Sequence, residues 1–201
     1  MIIFARHAQT KAGEEERFEG LADSSLTDLG ERQAKALGIF LRDKKIHEVV
    51  VSPRKRAFIT AKLALQGMQK EILVNTNLAE VCYGAWEHKK KDTIKKTKLW
   101  EVRQNDPFHF VHPGMYLSQP GESYSMLYER SKNTLLSLKA TQKNVLVVSH
   151  LGILRCVYMF FSGIDEREFV SSQFANTVLC VVSHKNTIRF FDYFNQKEVL
   201  V

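Results

Sequence analysis

Cysteine is scarce in this chain. Three cysteines occur among 201 residues, at Cys82, Cys156 and Cys180, and their neighbours are largely apolar. A disulfide framework or a zinc site would need cysteines in pairs at short spacing. We therefore expect reduced, mostly buried thiols, and we predict a cytoplasmic protein without a bound metal.

Long apolar runs are also missing. No run approaches the roughly 20 residues that a transmembrane helix needs, so the sequence does not predict an integral membrane protein. The segment Met1–His7 has neither a basic leader nor a small-residue cleavage site. We interpret it as a first strand rather than a signal peptide.

The composition favours neither disorder nor a nucleic-acid partner. Hydrophobic residues make up 44% of the chain and charged residues 25%, as in ordinary globular proteins. The formal net charge is +7, and six lysines lie between Lys89 and Lys98. No aromatic side chains alternate with these lysines to stack on bases, so a solvated surface is the favoured interpretation of the run.

The order of predicted elements favours an α/β fold. Continuous apolar runs at 2–5, 49–51 and 145–148 are typical of strands covered on both faces. Residue spacing predicts the other elements: helices at 27–44, 56–68, 93–104, 122–139 and 151–161, a strand at 72–74, a loop at 106–121, and a hairpin of strands 177–183 and 187–193. This alternation predicts a single-domain three-layer α/β/α sandwich with a mostly parallel sheet.

Histidine and arginine follow three of the predicted strands. Arg6 and His7 end the first strand, Ser52 follows the second with Arg56 in the next helix, and His150 follows a later one. Ligands bind beyond the carboxyl ends of such strands. Arginine suits bidentate contact with phosphate oxygens, and the helix N-termini after Ser52 and His150 would add backbone N–H groups. The pattern predicts a phosphate pocket that contains an imidazole.

A resemblance to a known family rests on motifs spread along the chain. The segment Arg6–Thr10, Arg-His-Ala-Gln-Thr, resembles the Arg-His-Gly-Glu-Thr signature of the histidine phosphatase (phosphoglycerate mutase-like) superfamily. Further segments resemble motifs of that family in the same order: Arg17–Gly20 with Asp23, Leu26–Gly30 with Gln33-Ala34, Ser52-Pro53 with Arg56-Ala57 and Thr60-Ala61, Leu78–Glu80 with Gly84, Trp86 and Glu87, Pro120–Ser123, and Val147–His150. One motif would be weak, but the ordered set is specific.

The resemblance implies a mechanism and its residues. His7 would form a phosphohistidine, and Glu80 would protonate the leaving oxygen and then deprotonate water. Arg6, Arg56 and His150 would hold the phosphoryl oxygens and their charge. The implied substrate-binding residues are Gln9, Thr10, Glu19, Gly20, Tyr83 and Leu151. No cofactor or metal is implied, because the cationic side chains take the part that magnesium has elsewhere.

The resemblance also implies one phosphoglycerate mutase-like domain over residues 1–201, with a lid or insertion at 85–122. The stretch Gly84–Glu87 resembles the phosphatase branch, and the chain lacks the longer insertion usual in mutases. We therefore favour a phosphatase that acts on a small phosphorylated metabolite or a phosphoprotein. Mutase-type phosphoryl transfer and a phosphoester-binding module with little turnover stay open. Ala8, Gln9, Gly13 and Leu151 depart from the family pattern around the pocket, so the sequence leaves the substrate open.

Overall fold

One seven-stranded sheet forms the centre of the molecule. The structure is a computed structural model that describes residues 1–199. Its strands are β1 (Ile2–Arg6), β2 (Glu48–Val51), β3 (Ile72–Val74), β4 (Met115–Tyr116), β5 (Gln119–Pro120), β6 (Val145–Ser149), β7 (Val178–Val182), β8 (Ile188–Asp192) and β9 (Lys197–Val199). β4 and β5 form a small separate hairpin, and the sheet has the order β3-β2-β6-β1-β7-β8-β9.

Helices cover both faces of the sheet. They are α1 (Lys11–Glu14), α2 (Asp28–Leu41), α3 (Lys55–Ala64), α4 (Lys91–Lys95), α5 (Lys98–Asn105), α6 (Tyr124–Ala140), α7 (Leu151–Ser162) and α8 (Glu166–Ser171), with single 3-10 turns at Thr76–Leu78 and Gly84–Trp86. Along β1, Ile2 and Phe4 join a core that includes residues of α6 and α7, whereas Ile3 and Ala5 join a second core with α2 and α3. Burial on both faces explains why the strand has no polar alternation.

The strand directions make the sheet mixed. β3, β2, β6 and β1 are parallel to one another, whereas β7, β8 and β9 add to the other side of β1 as antiparallel strands. The predicted α/β fold is confirmed, and the sheet is largely parallel at its centre. The predicted C-terminal hairpin supplies β7 and β8, because strands joined by a tight turn pair antiparallel.

The parallel strands bring three chain segments to one edge. Arg6 pairs with Ser149 and Val51 pairs with Val148, so β1, β2 and β6 end at the same level. The residues that follow these strands therefore lie together at one edge of the sheet, as the sequence predicted.

Helix limits differ from prediction where a local turn intervenes. α3 ends at Ala64 because Leu65–Met68 form a turn in which Gly67 has a φ of +83°. The helix predicted at 93–104 is two helices, α4 and α5. Thr97 separates them with extended backbone, and its hydroxyl accepts the N–H of Trp100 as an N-cap. The short elements α1, α8, β4, β5 and β9 were not predicted.

The three cysteines are buried and unpaired, which agrees with the predicted thiol burial. Among the helices of residues 1–199, none combines the length and the apolarity that crossing a bilayer requires.

Candidate active site

His7 follows β1 and is fixed through its main chain and its ring. Its backbone N–H donates to the carbonyl oxygen of Ser149 at 2.8 Å, and Asn176 Nδ2 donates to the carbonyl oxygen of His7 at 2.7 Å. His7 Nδ1 lies 2.9 Å from the carbonyl oxygen of Ala8. A carbonyl oxygen can only accept, so Nδ1 carries the proton and Nε2 keeps its lone pair.

The surroundings of His7 keep its ring neutral. Burial is the largest cause that lowers the pKa of His7 well below its ordinary value, and the charges of Arg56 and Arg6 lower the pKa further. Arg56 Nε donates to His7 Nε2 at 3.2 Å, a contact that needs an unprotonated nitrogen. The imidazole at pH 7 is therefore in the form that can attack phosphorus.

Arg56 is fully buried and is held by the loop Glu19–Asp23. Its Nη2 donates to the carbonyl oxygens of Glu19 and Gly20 at 3.0 and 2.8 Å. Its Nη1 donates to the carbonyl oxygen of Ala22 and to Asp23 Oδ1, the latter at 2.9 Å. These acceptors hold the guanidinium plane with Nε directed at His7.

A second carboxylate shapes this loop. Glu87 is buried, and its two oxygens accept the backbone N–H groups of Gly20, Leu21, Ala22 and Tyr83 at 2.9 to 3.1 Å. Gly20 is required by close packing, since a Cβ there would lie 2.0 Å from the carbonyl oxygen of Val81. Glu87 therefore holds the loop whose carbonyl groups hold Arg56.

His150 follows β6 and faces His7 across the site. The ring centroids of the two histidines are 5.1 Å apart. His150 Nε2 lies 2.6 Å from Ser52 Oγ, whereas its Nδ1 is buried without a partner among the described residues. Burial and the charge of Arg56 lower the pKa of His150 well below its ordinary value. A neutral ring that accepts from Ser52 has Nδ1–H left to donate to a bound anion.

Arg6 leaves a second donor without a partner. Its Nη1 donates to the carbonyl oxygen of Phe174 at 2.9 Å, but its buried Nε has no partner among the described residues. Burial lowers the pKa of Arg6, and the charge of Glu80 acts in the opposite direction. A buried, unpaired N–H is costly, and a bound oxyanion would remove that cost.

Glu80 is buried and has its carboxylate oriented by two N–H groups. Oε1 accepts from the backbone of Val81 at 2.9 Å, and Oε2 accepts from Gly152 at 3.2 Å. A Cβ at position 152 would lie 2.3 Å from Glu80 Oε1, so glycine at the start of α7 allows this approach.

These side chains surround one cavity of about 260 Å³. Among the predicted residues, Arg6, His7 and Glu80 line it together with Gln9, Thr10, Glu19, Tyr83 and Leu151. Gly20 does not line the cavity and contributes its carbonyl group to Arg56 instead. Arg56 and His150 are not among the lining residues; Arg56 contacts His7 through its Nε, and the ring of His150 lies 5.1 Å from that of His7.

Four residues of the cavity wall were not among the residues predicted at or around the pocket: Arg17, Phe18, Lys91 and Asn176. Asn176, in the loop before β7, lines the cavity and holds His7. Lys91, the first residue of α4, also lines it, and burial followed by the charge of Arg6 lowers its pKa. Lys91 is nonetheless exposed like its neighbours Lys89 and Lys90, so the solvated-surface interpretation of the lysine run holds, and Lys91 in addition lines the cavity.

The sequence also predicted that backbone N–H groups at two helix N-termini would bind the phosphate. This prediction is wrong for α3. The carboxylate of Asp23 accepts the N–H groups of Lys55 and Arg56 at 3.0 and 3.3 Å, which occupies the first turn of that helix. At α7, the N–H of Gly152 is taken by Glu80. Anion binding at this edge therefore relies mainly on side-chain donors.

The residues that follow Glu80 form an aromatic cluster with Phe18 beside the cavity. Phe18, Trp86 and Ile94 form its buried centre, and Tyr83 and Trp100 pack against it. This cluster fixes α4, and with it Lys91, at the cavity wall. Within residues 1–199, no group of three or more His, Cys, Asp or Glu side chains is arranged to hold a metal ion.

Comparison with known proteins places the chain among phosphatases. Residues 2–197 match the family model described as histidine phosphatase superfamily, branch 1. Phosphoserine phosphatase 1 of Hydrogenobacter thermophilus is 28% identical over 172 residues, which cover 85% of this chain and 80% of the relative.

Solved structures share the fold. The alpha-ribazole phosphatase from Shigella flexneri superposes with a TM-score of 0.76 at 23% identity, covering 92% of this chain and 91% of that chain. A mycobacterial glucosyl-3-phosphoglycerate phosphatase complexed with VO3 superposes with a TM-score of 0.77 at 22% identity, covering 94% of each chain.

Proposed function

The chain belongs to the histidine phosphatase superfamily (branch 1) and is a phosphatase, and on that premise we propose that it hydrolyses phosphomonoesters through a phosphohistidine on His7 without a metal ion. The observation that carries this proposal is the state of His7. Its ring is neutral, its Nδ1 proton is bonded to Ala8, and its Nε2 lone pair faces the guanidinium of Arg56.

In the first step, His7 Nε2 attacks phosphorus in line with the leaving oxygen. The N–P bond forms as the P–O bond to the alcohol breaks, and Glu80 gives its proton to the departing oxygen. Arg6 Nε and His150 Nδ1 donate to the phosphoryl oxygens whose charge grows in the transition state, and Arg56 Nε joins them when His7 Nε2, its present acceptor, bonds to phosphorus. This assignment is supported by two buried donors at the site that lack partners among the described residues, Arg6 Nε and His150 Nδ1.

In the second step, water replaces the alcohol at the same place. Glu80, now ionised, takes a proton from the water as the oxygen attacks phosphorus, and the N–P bond to His7 breaks. Inorganic phosphate leaves and Glu80 is protonated again, so the cycle balances without a cofactor.

We infer that the substrate is a small phosphorylated metabolite. The cavity of about 260 Å³ lies below the roughly 300–1,000 Å³ usual for drug-sized ligands, which favours a small phosphoester over a folded phosphoprotein. The relatives are named for phosphoserine, alpha-ribazole and glucosyl-3-phosphoglycerate phosphatases. We further propose that residues 85–122 act as the lid over the cavity, since α4 within this segment contributes Lys91 to the wall.

The nucleophile is tested by trapping the phosphoenzyme. We expect His7→Ala to abolish hydrolysis of every phosphomonoester and to give no acid-labile label after a rapid quench with ³²P-labelled substrate. His109→Ala, at a half-exposed surface histidine, is the matched control and should keep both signals. Normal turnover by His7→Ala would remove the nucleophile assignment.

The reaction type is tested with a panel of phosphometabolites, with and without 2,3-bisphosphoglycerate. We expect release of inorganic phosphate that is independent of the bisphosphate. Isomerised product in place of free phosphate would assign a mutase. Absence of both, with retained phosphoester binding, would assign a binding module.

Metal independence is tested by chelation. Buried guanidinium groups supply the positive charge around the phosphoryl group, so activity after dialysis against EDTA should equal that of the untreated protein. Loss of activity that returns only with added magnesium or zinc would contradict the proposal.

A further inference from the structure

The segment Asn77–Cys82, which carries Glu80, is held mainly by side chains from other elements. One side chain on α6 contacts three of its carbonyl groups. Arg130 Nη1 donates to the carbonyl oxygens of Asn77 and Ala79 at 2.9 and 3.2 Å, and Nη2 donates to that of Glu80 at 3.3 Å.

Glu122, just before α6, holds the other end of the segment. Its Oε2 accepts the backbone N–H of Cys82 at 3.0 Å, and its own backbone N–H donates to the carbonyl oxygen of Cys82 at 2.9 Å. Glu122 and Arg130 are joined by two parallel bonds of 3.0 Å, from Arg130 Nε to Oε1 and from Nη2 to Oε2. We call this pair the Glu122–Arg130 clamp.

The contacts of the clamp bracket Glu80 on both sides. Arg130 fixes the carbonyl groups of Glu80 and of Ala79 before it, and Glu122 fixes Cys82, two positions after Glu80. Between these points, the carboxylate of Glu80 accepts from Val81 and Gly152. The clamp therefore fixes the main chain on both sides of the Glu80 side chain.

We propose that Glu122 and Arg130 are positioning residues for proton transfer by Glu80. This inference rests on the proposed acid–base role of Glu80. A general acid must reach the leaving oxygen within hydrogen-bond distance, and a displacement of about 1 Å can cost on the order of 100-fold in rate. Planar, bidentate contact is a property of arginine that lysine does not share, so the clamp depends on the guanidinium and not on charge alone.

If the clamp served only to stabilise the fold, its loss would mainly lower the free energy of unfolding. The side chains of Arg130 and Glu122 are 24% and 18% exposed, and partly exposed ion pairs contribute little to folding. Loss of the clamp should therefore affect the step that needs proton donation more than it affects the stability of the fold.

The test compares two leaving groups by kcat/KM, which reports events up to cleavage of the P–O bond. p-Nitrophenolate leaves without much protonation, whereas the alkoxide of β-glycerol phosphate needs a proton. For Arg130→Lys and Glu122→Gln we expect kcat/KM to fall by on the order of 10- to 100-fold with β-glycerol phosphate. With p-nitrophenyl phosphate it should stay within a few-fold of the unmodified protein.

Matched controls lie on the same helix. Glu129 and Lys132 form an exposed ion pair of 3.4 Å on α6, so Glu129→Gln and Lys132→Met should leave both substrates unaffected. Urea unfolding of each variant verifies that it is folded, and Glu122→Gln carries the test if Arg130→Lys does not fold. In the double variant Glu80→Gln/Arg130→Lys, the loss with β-glycerol phosphate should not exceed that of Glu80→Gln alone.

The outcomes separate the two proposals. In one outcome, kcat/KM of Glu80→Gln falls more with β-glycerol phosphate than with p-nitrophenyl phosphate, but both clamp variants lose activity equally on the two substrates. The positioning role is then overturned and the role of Glu80 stands. If Glu80→Gln itself loses activity equally on both substrates, proton transfer by Glu80 is overturned.

Discussion

Three buried histidines determine how the protein responds to acid. Burial lowers the pKa of His7 and His150 well below the ordinary value of 6.5, and it lowers the pKa of His112 to about 4. In the unfolded chain these rings bind protons as the pH falls through 6.5, whereas in the folded chain they stay neutral until a lower pH. The unfolded state then binds more protons, so stability is complete above pH 6.5 and decreases below it.

We predict that the free energy of unfolding falls between pH 6.5 and 5.5. Each of the three histidines can contribute up to about 1.4 kcal/mol per pH unit. Urea unfolding at several pH values measures the slope, and His112→Gln should reduce it by the share of one histidine. A free energy that is constant across this range would contradict the neutral state assigned to these rings.

The position of a side chain could be predicted from the sequence where the residue directly follows a strand. Arg6, His7 and His150 could be placed at one sheet edge because parallel strands end together. Their catalytic roles stay predictions until variants are measured. Asn176 could not be found in this way, since it contacts His7 from 169 positions away in a loop without any local pattern.

At the scale of elements, the loop Glu19–Asp23 depends on Glu87. Two carboxylate oxygens of Glu87 accept four N–H groups, and each oxygen accepts two of them. An amide in place of this carboxylate has one accepting oxygen and an NH2 group that cannot accept.

We therefore predict that Glu87→Gln weakens both the fold and catalysis. Each buried N–H left without an acceptor costs about 1–3 kcal/mol, so unfolding by urea should shift to lower concentration. Because the loop also holds Arg56, kcat/KM should fall together with stability. Glu31→Gln, at an exposed ion pair on α2, is the control. Unchanged activity in a folded Glu87→Gln protein would separate the loop from catalysis.

Element limits were predictable where the signal is local. A helix was predicted from residue 27, and α2 begins after Thr27, whose hydroxyl accepts the N–H of Gly30 only three residues away. The start of α3 is different. Its cap is Asp23, which lies 32 positions before Lys55, and only the folded loop brings the two together.

At the scale of the whole molecule, the site concentrates buried positive charge. Arg56 is balanced by Asp23, but the buried donor atoms Arg6 Nε and His150 Nδ1 have no partner among residues 1–199. An oxyanion that binds these donors binds only the folded state, and it should therefore stabilise the protein.

We predict that inorganic phosphate raises Tm. At 100 times its Kd, a ligand adds about 2.7 kcal/mol, which for a domain of this size corresponds to roughly 5–10 °C. Thermal unfolding in phosphate and in chloride at equal ionic strength measures the effect, and Arg6→Met should reduce it. Equal Tm values in the two salts would show that the cavity does not bind the anion.

The overall fold was predictable because the central strands are apolar on both faces. In β1, Phe4 and Ala5 pack into the cores on opposite faces of the sheet. A short apolar run of this kind is typical of a parallel strand that is covered on both faces. The antiparallel addition of β7 to β1 was not predictable, since the sequence predicts the hairpin but carries no signal for the strand it joins.

The way Arg56 is held has a consequence for refolding. Its guanidinium cross-links α3 to the carbonyl groups of Glu19 and Gly20 and to the carboxylate of Asp23, so the loop cannot detach without exposing a buried cation. Loop closure and assembly of the phosphate pocket are thus one cooperative event. During refolding, enzymatic activity should return at the same rate as the amide protons of this loop become protected from exchange with solvent, with no inactive species in which the loop is already ordered.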